Sequence, residues 1–140
     1  MKEPPLRCTA DERRLLAIWA AACAERVLGR FEKSRPEDDR PRHAIEAARA
    51  WSAGAMTMTE ARRAAFSSHA AARQCSDDAA CFAARAAGHA AATAHVADHA
   101  RHAAAYAIKA VGGDGTAQAI AESDWQRRQL PDELRESVRV

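Results

Sequence analysis

The chain has 140 residues, a length that suits one domain, and carries 21 Lys and Arg against 19 Asp and Glu for a formal charge of +2. So even a balance, with aromatics at 5% and no basic block set between aromatic residues, argues against nucleic acid as a ligand. The longest apolar stretch, AIWAAACA at 17–24, falls far short of the roughly 20 residues that cross a bilayer.

The opening MKEPPLRCTADERR has no apolar run after its charges, so it does not read as a signal peptide, and the expected location is the cytoplasm. Cys8, Cys23, Cys75 and Cys81 lack CxxC spacing and offer no two close pairs for a cysteine-based zinc site. They read as reduced, partly buried thiols.

Alanine, the best intrinsic helix former, dominates the chain, and no segment alternates apolar and polar residues over a strand length. The expected class is all-α: a compact single-domain bundle of five to six alanine-rich helices. It would occupy 1–140, with an ordered core over about 10–138 and an N-terminal tail over 1–8.

Thr9 and Glu12 have capping-box spacing and open the first helix near Ala10. Leu16, Trp19, Ala20, Cys23, Val27 and Phe31 then recur at three- and four-residue steps as one apolar stripe. The proline- and charge-rich loop at 34–41 ends it. Asp39 is placed to cap a second helix, which tolerates Pro41 in its first turn, carries Ile45, Ala48 and Trp51, and stops near Gly54. Thr57 and Glu60 repeat the capping box, and the third helix runs to about Gln74.

Ser76, followed by Asp77 and Asp78, marks the next start. From there the helical pattern continues to Val111. That is long for a small domain, so a break or kink is expected near Gly88. Gly112 and Gly113 close it, another helix spans Thr116 to Gln129, and a short last one follows Pro131 over Asp132 to Val138. Trp51 and Trp125 read as core or groove residues, and Met56 and Met58 as gap fillers.

The stretch GHAAATAHVADHARHAAAYAIKA, residues 88–110, holds four of the six histidines. On a continuous helix turning about 100° per residue, His95, His99, His102 and Tyr106 share one stripe. His89 then lies on an apolar face with Thr93, Val96, Ala100, Ala103 and Ala107, roughly 120° away. The four histidines therefore form one set only if the helix breaks. HVADH has Val96 where the zinc-protease motif has its glutamate, and no second segment supplies a matching pair, so no metal is expected.

His89 is either a hydrogen-bonded core histidine or part of an acid–base site with His69, Arg73 and a carboxylate such as Asp98. The loop residues Asp38, Asp39 and Arg40 read as caps and mutual partners, or as an acidic partner-binding or metal-binding cluster.

Five segments in order carry a resemblance: LLAIWAAACAERVLGRFE, DDRPRHAIEAARAW, EARRAAFSSHAAAR, RAAGHAAATAHVADHARHAAAYAIKAV and WQRRQLPDELRESV. Together, from about Leu15 to Val138, they resemble the Imm-five-like family of small all-helical bacterial putative immunity proteins. The positions that match are Asp39, Arg40, Trp51, His69, His89, His95 and His99. The resemblance implies an all-helical domain that binds a cognate toxin protein and blocks it.

Two functions stand side by side. One is an immunity-type binder of a toxin, with Asp39, Arg40, Trp51, His95, Asp98 and His99 as partner- or ligand-binding candidates. The other is a small helical enzyme or small-molecule-binding protein, with His89, His69 and Arg73 as its catalytic candidates. No cofactor is expected. An alanine-rich surface could also pack a homodimer.

Overall fold

The computed structural model describes residues 5–138 and contains six α-helices in chain order: α1 (Ala10–Ser34), α2 (Arg40–Ser52), α3 (Met58–Arg73), α4 (Asp78–Ala92), α5 (His99–Gly112) and α6 (Thr116–Gln129). A 3-10 turn, Asp132–Leu134, follows. Among the described residues there is no strand. The first part of the expected tail, 1–4, and the last residues, 139–140, lie outside them. Leu6 and Cys8 pack, partly buried, against the core.

Both capping boxes form as the sequence requires. The Glu12 amide donates to Thr9 Oγ1 at 3.1 Å while the Thr9 amide donates to Glu12 Oε1 at 3.0 Å. Thr57 and Glu60 repeat the arrangement at 3.3 and 3.1 Å. The expected stripe of α1 is buried throughout, from Leu16 and Trp19 to Val27 and Phe31.

Two other caps differ from expectation. Asp77, not Ser76, caps α4, its Oδ2 accepting from the Ala80 amide at 2.9 Å. A carboxylate there satisfies an orphan amide and also complements the positive end of the helix dipole. Asp39 occupies the cap position of α2 but its side chain makes no capping bond. Asp38 does that work instead, accepting from the Arg40 amide at 3.1 Å and from its guanidinium at 2.9 and 2.7 Å.

The long helical pattern breaks, but not at Gly88, which is buried inside α4. The break spans 93–98. There Thr93 Oγ1 turns back onto the His89 carbonyl at 3.0 Å, and the amides of Ala94, His95, His99, Ala100 and Arg101 bond three residues back rather than four. A side-chain oxygen competing for the i−4 carbonyl and a run of tightened turns replace the regular ladder. The connection folds α5 back on α4 as a helical hairpin, so that Phe82 faces Tyr106 at 6.1 Å and His89 faces His99 at 5.0 Å between ring centroids.

The core is an alanine lattice. Ala80, Ala83, Ala84, Ala86, Ala87, Ala90 and Ala91 of α4 are each at most 1% exposed. Small side chains let helices approach toward the short end of the roughly 8–10 Å range, and α4 packs against α1, α2, α3 and α5. Larger side chains complete the core: Leu16, Val27 and Phe31 from α1, and Leu130, Leu134 and Val138 from the C-terminal segment. The short final helix expected over 132–138 shrinks to one 3-10 turn. So few residues cannot offset helix nucleation, whereas burial of Leu134 and Val138 fixes the chain there directly.

Polar bonds hold α6, whose buried residues are Glu122 and Gln126. Glu122 accepts both arms of the Arg26 fork at 3.1 and 3.0 Å, and that guanidinium lies 4.2 Å from the Trp125 ring centroid. Gln126 Nε2 donates to the Ala104 carbonyl at 2.9 Å, and its own carbonyl accepts from Trp19 Nε1 at 2.8 Å. Trp19→Phe removes the donor and leaves a small void, and is expected to cost about 1–3 kcal/mol in urea denaturation. A change within about 0.5 kcal/mol would mean that this contact does not anchor α6.

Candidate functional site

Five histidines from three helices and the α4–α5 connection meet at one edge of the bundle. His69 (α3) meets His89 (α4) edge to face, with centroids 4.8 Å apart. His89 also stacks on His99 at 5.0 Å and on Tyr106 at 5.4 Å, and touches His102 at 5.2 Å. His95, in the connection, reaches His99 at 5.4 Å. The break between α4 and α5 is what assembles the set. On one continuous helix His89 would point away from the other three.

Gly88 explains why His69 fits. A Cβ built on Gly88 would stand 2.7–2.9 Å from the His69 ring atoms. The glycine is therefore a seat for an imidazole rather than a helix breaker. Beside it, Ser68 Oγ donates to the Ala84 carbonyl at 2.8 Å and fixes the register of α3 on α4.

The nearest polar contact in the cluster is between His89 Nδ1 and His99 Nδ1, 2.9 Å apart. One ring must donate and the other accept, so both cannot be protonated at these atoms. Burial first, and then the positive charge of His69, His99, His102 or Arg85, push the His89 pKa down to about 3. Burial likewise holds His69 near 4, followed by the Arg85, His99 and Arg73 charges, and His99 near 4, followed by His95 and His102. His95 is lowered by burial and then by Arg62. These imidazoles are neutral at pH 7. Among the described residues, His69 Nδ1 and His95 Nδ1 are shielded from solvent without a hydrogen bond.

The other sequence candidates are dispersed. His69 and His89 are neighbours, but Arg73 is exposed and acts on His69 only through its charge. Asp98 does not orient the cluster from within. It accepts from the Leu6 amide at 2.9 Å and pairs with Arg101 at 2.5 Å. Arg40 is engaged by Asp38 and by Gln74 Oε1 at 2.6 Å, at the start of α2. Trp51 is half-buried beneath the Arg13 guanidinium at 5.3 Å. His102 is exposed, as its position on the polar stripe implies.

Val96, expected to face inward, is 41% exposed because it lies in the break, and Met58 is 48% exposed rather than filling a gap. Sequence reasoning did not single out Phe66, 59% exposed on α3 with Arg62 5.4 Å from its ring centroid. An aromatic residue on the solvent side of an amphipathic pattern was the available signal.

Among the described residues, no three His, Cys, Asp or Glu side chains are grouped to hold a metal ion. No helix is long and apolar enough to cross a membrane. All four cysteines are free thiols, and burial with the neighbouring Cys81 raises Cys75 to about 11, which keeps it protonated.

The fold and site define an all-helical bundle with a histidine-lined edge. Residues 6–133 match the Imm-5 like putative immunity protein family, and the chain belongs to that family. No curated protein and no solved structure matches it significantly.

Two outcomes test this geometry. An unfolded histidine titrates near 6.5, whereas His69, His89 and His99 stay neutral to about 3–4 in the fold. Between those values the unfolded chain binds more protons, so stability is greatest above about pH 6.5 and falls as the pH drops below it. The ion-paired carboxylates Glu25, Glu32, Asp38 and Asp114, whose pKa values are lowered from 4.5 or 3.8, lose their contributions only at lower pH. Melting temperature should therefore drop already between about pH 7 and pH 5, and less so in His89→Asn; equal slopes would deny the shifts.

Separately, Gly88→Ala should destabilise the wild type by roughly 1 kcal/mol as overpacking exceeds the gain in helix propensity. In a His69→Ala background the same change should instead stabilise by up to about 1 kcal/mol. The same sign in both backgrounds would show that His69 does not occupy the Gly88 seat.

Proposed function

We propose that this chain acts as an immunity-type protein, binding and neutralising a toxin protein. Membership of the Imm-5 like putative immunity protein family supports the class. The observation that carries the reading is Phe66, 59% exposed at the middle of α3 with the Arg62 guanidinium against its ring. Aromatic and arginine side chains are the residues most enriched among interface hot spots. Phe66 has no structural work to do in water, and a partner pocket would remove its apolar surface from solvent.

A histidine-lined small-molecule site is the second reading, favoured by the shielded, unbonded nitrogens of His69 and His95. Acid–base catalysis by His69 and His89 near pH 7 is less well supported, because groups held near 4 and 3 are weak bases there.

The test is native mass spectrometry of the chain drawn from its own host's lysate, beside Phe66→Ala. The expected result is a one-to-one complex with a second protein that is toxic when expressed alone and harmless when co-expressed with this chain. Phe66→Ala should lose the complex by at least about tenfold in affinity. A bare chain, or one carrying only a small-molecule adduct, would contradict the toxin-binding reading.

A further inference from the structure

The ion pairs of this protein are unevenly distributed. Arg26, Arg30, Arg42 and Arg49 each meet a carboxylate, as do Arg40, Arg101, Arg127 and Arg135. Among the described residues no ion pair draws on α3 or α4. Arg62, Arg73 and Arg85 of those helices have no carboxylate partner there, nor has Lys109 of α5, whose ammonium sits 4.8 Å from the Tyr106 ring centroid.

These cations share one side of the molecule. On a helix turning about 100° per residue, Met58, Arg62, Phe66, His69 and Arg73 fall within an arc of roughly 80° on α3, centred roughly 120° from the buried stripe of Ala61, Ala64, Ala65, Ser68 and Ala71. The histidine cluster ties that stripe to the solvent edge of α4, where Arg85 and His89 lie, and to His99, His102 and Tyr106 of α5. The electrostatics agree: Arg85 and Arg73 act on His69, Arg85 on His89 and Arg62 on His95. The one carboxylate acting on the cluster, through His99, is Asp98, and Arg101 already holds it.

We infer that the α3–α4–α5 face of Arg62, Phe66, Arg73, Arg85 and Lys109 is the docking surface for an acidic protein, whose carboxylates pair with the arginines around an apolar pocket for Phe66. This deepens the partner-binding reading and rests on it. Charge complementarity selects this occupant. Arg62, Arg73, Arg85 and Lys109 stand without a carboxylate partner around the histidine cluster, beside Phe66, the most exposed aromatic side chain among the described residues. Arginine forks bind carboxylates bidentately, and a surface of one sign steers an oppositely charged partner into register. A nucleic-acid strand suits the face less well, because successive bases need several open aromatic faces and Arg62 already covers one side of Phe66.

The surface chemistry can be tested before the partner is known. A ten-residue glutamate peptide is titrated into the isotope-labelled full chain at low salt, and chemical shifts are followed by NMR. The largest shifts should fall on the side-chain Nε–H groups of Arg62, Arg73 and Arg85. Arg62→Glu/Arg73→Glu, both exposed positions whose unchanged melting temperature is checked first, should weaken binding by about tenfold or more. The control Arg30→Glu/Lys33→Glu lies in the groove formed by Arg26, Gly29, Arg30, Lys33, Asp77 and Ala79, and should change binding less than about twofold.

Shifts centred on that groove, equal losses in the two variants, or no saturable binding would overturn the assignment. So would tighter binding of a ten-nucleotide thymidine strand than of the peptide. If the peptide maps to this face while the lysate yields no protein complex, the surface chemistry stands and the toxin reading fails. If a protein complex forms but survives Arg62→Glu/Arg73→Glu, the toxin reading stands and this face is not its dock.

Discussion

Close packing around α4 is the constraint on which the rest of the structure depends. Its inward residues are alanines and one glycine, all buried. Neighbouring helices can therefore come close enough that little room remains for large side chains in the middle of the bundle. The larger core side chains come from other elements, among them Leu16, Trp19 and Phe31 of α1 and Leu130 and Leu134 of the C-terminal segment, and at one edge imidazole rings and Tyr106 pack on each other. Gly88 is the extreme case of the same rule. At that point even a methyl group is too large, because the His69 ring lies where it would stand.

From that constraint the site follows. The α4 ladder gives way after Ala92, where Thr93 bonds back to His89, and α5 returns antiparallel. His89 then faces His99, His102 and Tyr106 instead of diverging from them. Burial beside other imidazoles and arginines keeps His69, His89 and His99 neutral, and neutral rings can share one N–H between two nitrogens as the His89–His99 pair does. On α3 the inner side is spent on alanine contacts, while Arg62, Phe66 and Arg73 are exposed to solvent. A stabilising interior and an adhesive exterior are thus two faces of one helix.

Much of the fold was legible in the residues, because helix termini are local chemistry. Thr9 with Glu12 and Thr57 with Glu60 state their role within four residues, and the extent of α6 followed from its flanking glycines and Pro131. The Gly88 break was misplaced because a glycine in a helical pattern signals either a stop or a close approach, and only the position of His69 decides between them. The histidine set was legible only conditionally. Its members come together across a break whose place depends on tertiary packing. The anchoring of α6 could not be read at all, since Gln126 and Glu122 look like surface residues until Trp19 and Arg26 are placed opposite them. The exposure of Phe66 was legible in principle, since it lies off the stripe of buried alanines on α3.

The central claim is that the packed α4–α5 hairpin forces His89 and His99 into a shared N–H···N contact, and with it the face above. Nitrogen-15 NMR of the imidazole rings at neutral pH reads this directly, since it reports the tautomer and charge of each ring. The account predicts neutral rings, with one of His89 and His99 carrying its proton on Nδ1 and the other leaving Nδ1 bare to accept it. Two rings both protonated at Nε2 only, or rings charging together near pH 6.5, would contradict it.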